Sequence, residues 1–208
     1  MNEETLRFAA GGLSLEGRVA LPPSARRAAV VCHPHPQYGG DMDNSVVVGA
    51  TRALQDAGVA TLRFNFRGVG ASEGSYSGGL AEAEDARAAV TCLREHLPSG
   101  AISLGGYSFG AMVALLAGHD HAEVDRLFAI ALPATMFDTG PIEQSTKPKL
   151  LLLGDRDQYC PVPAMEALVA RLAGENSLVR IEGADHFLFG VEERVGAEVA
   201  RFVNQSSS

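Results

Sequence analysis

The stretch Leu104-Gly105-Gly106-Tyr107-Ser108-Phe109-Gly110 decides how this chain folds. An apolar run, Ala101 to Leu104, leads into it, and a helix-like run, Ala111 to Ala117, leads out. Between them Gly106, Ser108 and Gly110 spell G-x-S-x-G. A serine on a sharp strand-to-helix turn is pushed into a strained backbone conformation, and the residues two away on either side must be small for the turn to close. The helix that follows aims its unpaired N–H groups at the same spot, which favours negative charge there. Glycine makes up 23 of the 208 residues, so the pattern alone is only moderately specific. Its weight comes from the strand before it and the helix after.

Outward from this turn the chain alternates. Thr5 to Ala9 and Leu13 to Leu21 show period-two patterning around Gly11-Gly12, a β-hairpin closed by Pro22-Pro23. Ala28 to Cys32 is an unbroken apolar run suited to a strand buried on both faces, and His33 to Gly40 reads as a loop from its Pro and Gly content. Asn44 is an N-cap candidate for a helix to Ala57, ended by Gly58. Val59 to Phe66 reads as a strand, Arg67 to Gly74 as a glycine-rich loop, and Leu80 to Leu97 as a helix stopped by Pro98. Beyond the central strand (Ala101 to Tyr107) and helix (Phe109 to Gly118) come strands at Asp125 to Leu132 and Lys149 to Leu153. A helix at Val162 to Leu172, a strand at Leu178 to Ile181 and a helix at Val191 to Val203 complete the pattern. Strands alternating with helices imply right-handed crossovers and a mostly parallel sheet with helices on both faces, the opening hairpin supplying an antiparallel edge. Residues 1–203 are expected to form one domain and 204–208 a disordered tail.

Composition narrows the partners. A net charge of −8 argues against nucleic acid and against anionic membrane surfaces, and no apolar run approaches the length of a membrane span. The opening Met1-Asn2-Glu3-Glu4 is acidic where a signal peptide would be basic. Cys32, Cys92 and Cys160 are odd in number and scattered, which fits a reduced, cytoplasmic protein better than a disulfide framework. Nothing in the sequence specifies an oligomeric state.

A serine hydroxyl is a weak nucleophile, so Ser108 needs a base, and the base an orienting acid. In open parallel sheets functional groups gather at the carboxyl ends of the strands. Just past two of those ends stand Gly154-Asp155-Arg156-Asp157 and Gly183-Ala184-Asp185-His186, giving the chain order Ser, Asp, His. His96, His119 and His121 fall at helix ends and read as surface or structural residues.

With these motifs the chain resembles a small, capless α/β-hydrolase. It is similar to a bacterial esterase-like group, with dienelactone-hydrolase-like relatives, marked by an HPHP-x-x-GG loop (His33 to Gly40), an R-F-N-F-R-G-x-G-x-S segment (Arg63 to Ser72) and a G-Y-S-F-G elbow (Gly106 to Gly110). A G-D-x-D segment (Gly154 to Asp157) and a late G-A-x-H (Gly183 to His186) complete the set. The resemblance implies the α/β-hydrolase fold, Ser108 as nucleophile and His186 as base. It favours Asp157 as the orienting acid, with Asp155 and Asp138 as alternatives.

One oxyanion donor should be the backbone N–H of Phe109. The second belongs to the loop after Cys32, where Pro34 and Pro36 have no N–H, leaving His35, Gln37 or Tyr38. Aligning His33-Pro34 with the His-Gly of related enzymes points to His35.

The implied reaction is hydrolysis of a small or short-acyl carboxylic ester through an acyl-enzyme, with no cofactor. Thioester or amide hydrolysis, acyl transfer, a perhydrolase side activity and a non-catalytic binding module stay open. Only Pro133 to Pro148 is available where many such enzymes insert a lid, so no cap domain is expected. The site should be shallow and open, lined by Tyr38, Phe109, Met136, Phe137, Phe187 and Phe189, with Tyr38, Met136 and Phe187 as candidate substrate contacts.

Rival readings are weaker. His33, His35, Asp41 and Asp43 are all competent metal ligands, but two prolines stiffen their spacing and no metal is expected. Gly68, Gly70 and Gly74 miss the dinucleotide spacing by one residue and read as a tight turn, tied down by Arg67 pairing with Glu82 or Asp85. Cys160 reads as a buried small hydrophobe.

Overall fold

The structure is a computed structural model and describes residues 2–97 and 99–205. Its strands are β1 (Glu4–Ala10), β2 (Leu13–Ala20), β3 (Arg27–Cys32), β4 (Ala60–Phe64), β5 (Ala101–Tyr107), β6 (Val124–Ile130), β7 (Lys149–Gly154) and β8 (Asn176–Ile181). The helices are α1 (Ser45–Asp56), α2 (Leu80–His96), α3 (Phe109–Gly118), α4 (Gly140–Glu143), α5 (Val162–Val169) and α6 (Glu192–Asn204), with a 3-10 turn at Pro36–Tyr38. Among the described residues the strands form one sheet in the order β1-β2-β4-β3-β5-β6-β7-β8. β1 and β2 pair antiparallel and β2 joins β4 antiparallel; every pairing from β4 to β8 is parallel.

Alternation along the strands divides the core in two. Ala28, Val30 and Cys32 of β3, with Leu151 and Leu153 of β7, face a cluster closed by α2 and α3. Ala29, Val31, Leu150 and Leu152 point the other way, into a cluster closed by α1 and α6. Strands covered on both faces by helices need the near-continuous apolar runs seen in the sequence. α1 and α6 pack with little between them: a Cβ on Gly196 would lie 2.7 Å from the Gly49 carbonyl oxygen, so a larger residue there would force the helices apart. Asn44 caps α1, its Oδ1 accepting from Val46 N at 3.0 Å.

The departures from expectation have local causes. β4 ends two residues early, where Asn65 stays bonded to β2 but lies beyond the parallel pairing with β3. Its N–H donates to Glu16 O at 3.0 Å, its Oδ1 accepts from Met42 N at 2.8 Å, and its Nδ2 donates to Glu16 Oε1 at 2.7 Å. β6 ends at Ile130 because Ala131 turns into the left-handed region at φ 48°. α5 stops at Val169, short of Leu172. α6 runs one residue past Val203, and Asn204 Nδ2 donates to Ala57 O at 3.2 Å. Of the expected tail, Asn204 closes α6 and residues 206–208 lie outside the described residues, as does Pro98, the expected stop of α2. The connection from β6 to β7 holds the single helical turn α4, and among the described residues no cap covers the sheet.

Candidate active site

Ser108 sits between β5 and α3 at φ 54° and ψ −117°, a conformation that costs an L-residue of order 1–3 kcal/mol. The elbow is clamped on both sides. Ser108 N–H donates to Ile130 O at 2.8 Å, fixing it to the end of β6. A Cβ on Gly106 would lie 2.6 Å from Cys32 O, and one on Gly110 2.4 Å from His33 O. These contacts give the physical reason for small residues on both sides of the serine: the first turn of α3 rests on the backbone leaving β3.

Two strands along, the β7 end presents Asp157, and the β8 end presents His186. Ser108 Oγ lies 2.9 Å from His186 Nε2, and His186 Nδ1 lies 2.9 Å from Asp157 Oδ2. A carboxylate can only accept, so the imidazole proton belongs on Nδ1, leaving Nε2 free to accept from the serine hydroxyl. Asp157 is buried, and its second oxygen accepts from Tyr159 N at 2.8 Å and Cys160 N at 3.0 Å. Its orientation is thus held by two backbone amides. Of the acids weighed in the sequence, Asp155 does loop work, accepting from Gly183 N at 2.8 Å, and Asp138 accepts from Gly140 N at 2.9 Å.

The loop after β3 folds around His35. Tyr38 N and Gly40 N both donate to His35 O at 3.1 Å, and Gln37 N donates to His35 Nδ1 at 3.2 Å. Of the three amides expected to compete as oxyanion donors, those of Gln37 and Tyr38 are therefore already engaged within the turn. His33 lies fully buried beneath the same loop. Its Nδ1–H faces Pro34 O at 2.6 Å and its Nε2 accepts from Phe66 N at 3.0 Å, so the ring is neutral and fastened at both nitrogens. Burial pushes its pKa down to about 4.

Arg67 pairs with Asp85, not Glu82. Its Nη2 reaches Asp85 Oδ1 at 2.6 Å and its Nε lies 3.0 Å from Oδ2, with Asp85 wholly buried. Glu82, also buried, instead accepts from Ser77 N at 2.8 Å, Ser77 Oγ at 2.9 Å and Gly79 N at 2.7 Å, fastening the loop that precedes α2.

The rim differs from the floor. Tyr38 is 88% exposed, Phe189 76%, Met136 70% and Phe187 43%. Phe187 and Phe189 stack at 5.9 Å, while Leu188 between them is fully buried at φ 56° and pins their loop to the core. Phe109 was expected to line the opening, but its side chain is buried against Phe66 and His35, and Phe137 packs against the same core. Residue 109 begins α3, whose inward face is apolar, so its side chain turns to the core while its amide stays at the elbow.

Two residues of the site escape a reading by motif. Tyr107 Oη donates to His186 O at 3.0 Å, bracing the histidine loop from inside the sheet. Tyr159 sets its ring edge-on to His186 at 4.6 Å. Alternation along β5 puts residue 107 on the α1–α6 face and signals the first; nothing local signals the second.

The chain belongs to the α/β-hydrolase family, whose fold matches across residues 34–142. It is a capless member. A serine hydrolase without a lid from Xanthomonas campestris is 32% identical, with a TM-score of 0.86 over 100% of this chain and 98% of that one. An α/β serine hydrolase homologue from Coxiella burnetii is also 32% identical, with a TM-score of 0.89 over 97% of each chain. An uncharacterized protein of Rickettsia prowazekii is 37% identical over 183 residues, 83% of this chain and 77% of its own. None of the described helices is long and apolar enough to cross a membrane.

Proposed function

We propose that this hydrolase cleaves carboxylic esters through an acyl-enzyme formed on Ser108. The observation that carries this reading is the continuous series Ser108 Oγ, His186 Nε2, His186 Nδ1 and Asp157 Oδ2, with 2.9 Å at each of its two hydrogen bonds, behind a strained elbow. His186 takes the hydroxyl proton as Oγ attacks the ester carbonyl carbon. The carbonyl electron pair moves onto oxygen and is received by the amides of Phe109 and His35. Collapse expels the alcohol, which takes the proton from His186 Nε2. Water, deprotonated by the same nitrogen, then releases the acid and returns the proton to Ser108. Asp157 keeps the imidazole in the required tautomer and stabilises its charged form. Each oxyanion donor contributes on the order of 3–4 kcal/mol to the transition state.

The open site favours small or short-acyl esters, with Tyr38, Met136 and Phe187 in contact with the substrate. Three buried free cysteines fit a reducing compartment, so we place the enzyme in the cytoplasm, acting on a small molecule with neither nucleic acid nor membrane as partner. The test is a series of p-nitrophenyl esters and acyl thioesters of increasing chain length, with Ser108→Ala as control. Ser108→Ala should lower turnover by roughly four to six powers of ten and abolish fluorophosphonate labelling. Retention of most esterase activity by that variant would overturn the assignment, and faster turnover of thioesters than oxygen esters would move the substrate class.

A further inference from the structure

We infer that the His35 side chain, braced by the Tyr76 hydroxyl, is a positioning group that holds the two oxyanion-binding amides in register. The inference rests on the reading above, in which those amides belong to His35 and Phe109. The two residues come from different strand ends, His35 after β3 and Phe109 after β5, so something must fix one against the other. The rings do this directly: the His35 imidazole packs on Phe109 with centroids 4.8 Å apart. Tyr76 completes the cluster, 5.0 Å from His35 and 5.8 Å from Phe109.

The hydrogen bonds orient that cluster. His35 Nδ1 accepts the Gln37 amide, so in the neutral ring the proton sits on Nε2, which donates to Tyr76 Oη at 3.1 Å. The imidazole is thereby held at both nitrogens, by its own turn on one side and by the loop before α2 on the other. That second loop is itself anchored. The buried Glu82 carboxylate fastens Ser77 and Gly79, and at Gly79 the chain runs beside α3, where a Cβ would meet Met112 Cε at 3.0 Å and the Phe109 ring at 3.6 Å. The charge facing the ring is that of Glu82, and the neighbouring titratable side chains are Tyr38 and Tyr76.

His35 touches the reacting oxygen only through its backbone, so its side chain acts on geometry. Misplacement of reacting groups by a fraction of an ångström costs on the order of tenfold in rate. The test compares Tyr76→Phe, which removes one oxygen atom, with His35→Phe, which keeps a ring but loses both hydrogen bonds, and with the double variant. Each is assayed on p-nitrophenyl butyrate and with an aliphatic trifluoromethyl ketone, whose carbonyl becomes an oxyanion when serine adds. The single variants should lower kcat about tenfold and weaken the ketone by the same factor, with KM within about twofold and an unchanged thermal midpoint. The double variant should lose no more than His35→Phe, because both changes cut one series. Values of kcat and ketone affinity within twofold of the parent for Tyr76→Phe, or losses that multiply in the double variant, would overturn the inference. Ser108→Ala run alongside separates the levels: if it stays active, the reading of the site has failed, and if it is dead while Tyr76→Phe is unaffected, only the positioning role has failed.

Discussion

The floor and the rim of the site are built differently. On the floor, Asp157 uses both oxygens, His186 both ring nitrogens and Ser108 both its amide and its hydroxyl in hydrogen bonds. On the rim, Tyr38, Met136, Phe187 and Phe189 stand in solvent, fixed mainly through the loops that carry them. The buried Leu188 anchors the Phe187–Phe189 pair, and Phe187 N donates to Asp185 Oδ1 at 2.9 Å. On the proposed function the contrast separates chemistry from selection: the floor holds its groups in one arrangement, whereas most of the rim side chains lie outside the buried core.

The contrast can be broken most severely at Asp157. Asp157→Asn retains an oxygen for the amides of Tyr159 and Cys160 but turns an N–H toward His186 Nδ1. The imidazole proton must then move to Nε2, where it cannot accept from Ser108. Turnover should fall by about three to four powers of ten with the fold intact, read from kcat and a thermal midpoint near the parent's. A variant within tenfold of the parent would remove Asp157 from its proposed role.

A smaller effect comes from acid. His33 is buried neutral, with its pKa pushed down to about 4, whereas in the unfolded chain it titrates near 6.5. Between those values the unfolded state binds more protons, so stability rises with pH. This contribution is fully present above about pH 6.5 and is lost as pH falls toward about 4, roughly 3 kcal/mol in all. Denaturant titrations across that window should show a steeper loss for the parent than for His33→Gln. Parallel pH profiles for the two proteins would contradict it.

Tyr107→Phe sharpens the floor from beneath. Removing the hydroxyl leaves the buried His186 carbonyl without its 3.0 Å donor, which should cost about 1–2 kcal/mol and up to tenfold in kcat. A stopped assay with saturating short-chain ester reads it. Least affected of all should be the rim. Phe189→Ser and Met136→Ser should leave kcat for an acetyl ester within about twofold and raise KM only for longer acyl chains, in proportion to the apolar area removed. A tenfold fall in kcat from either would mean that the rim takes part in the chemistry.

Much of this was legible in the sequence because it rests on local rules. The strand–turn–helix at Ser108, the Asn44 cap and the order of Ser, Asp and His follow from spacing and strand ends, and the boundaries of β5 and α3 coincide with the expected ones. What escaped depends on contacts across the sheet. No pattern near Tyr76 says that it will meet His35, 41 positions earlier. Arg67 had two candidate acids one helical turn apart, and only the packing of α2 decides for Asp85 over Glu82. Phe109 was misplaced because its side chain and its amide serve opposite sides of the same turn.

The pairing of α1 with α6 bears on how the protein is made. One of the two core clusters is closed by Val195, Val199, Phe202 and Val203, which leave the ribosome well after α1. Until then Val46, Val47, Ala50 and Leu54 of α1, made some 150 positions earlier, have no helix to cover them. The nascent chain thus carries a half-covered sheet from the making of α1 until α6 follows, and the Gly49–Gly196 contact forms only then. Residues that never approach the active site therefore set how long the growing chain depends on protection from aggregation.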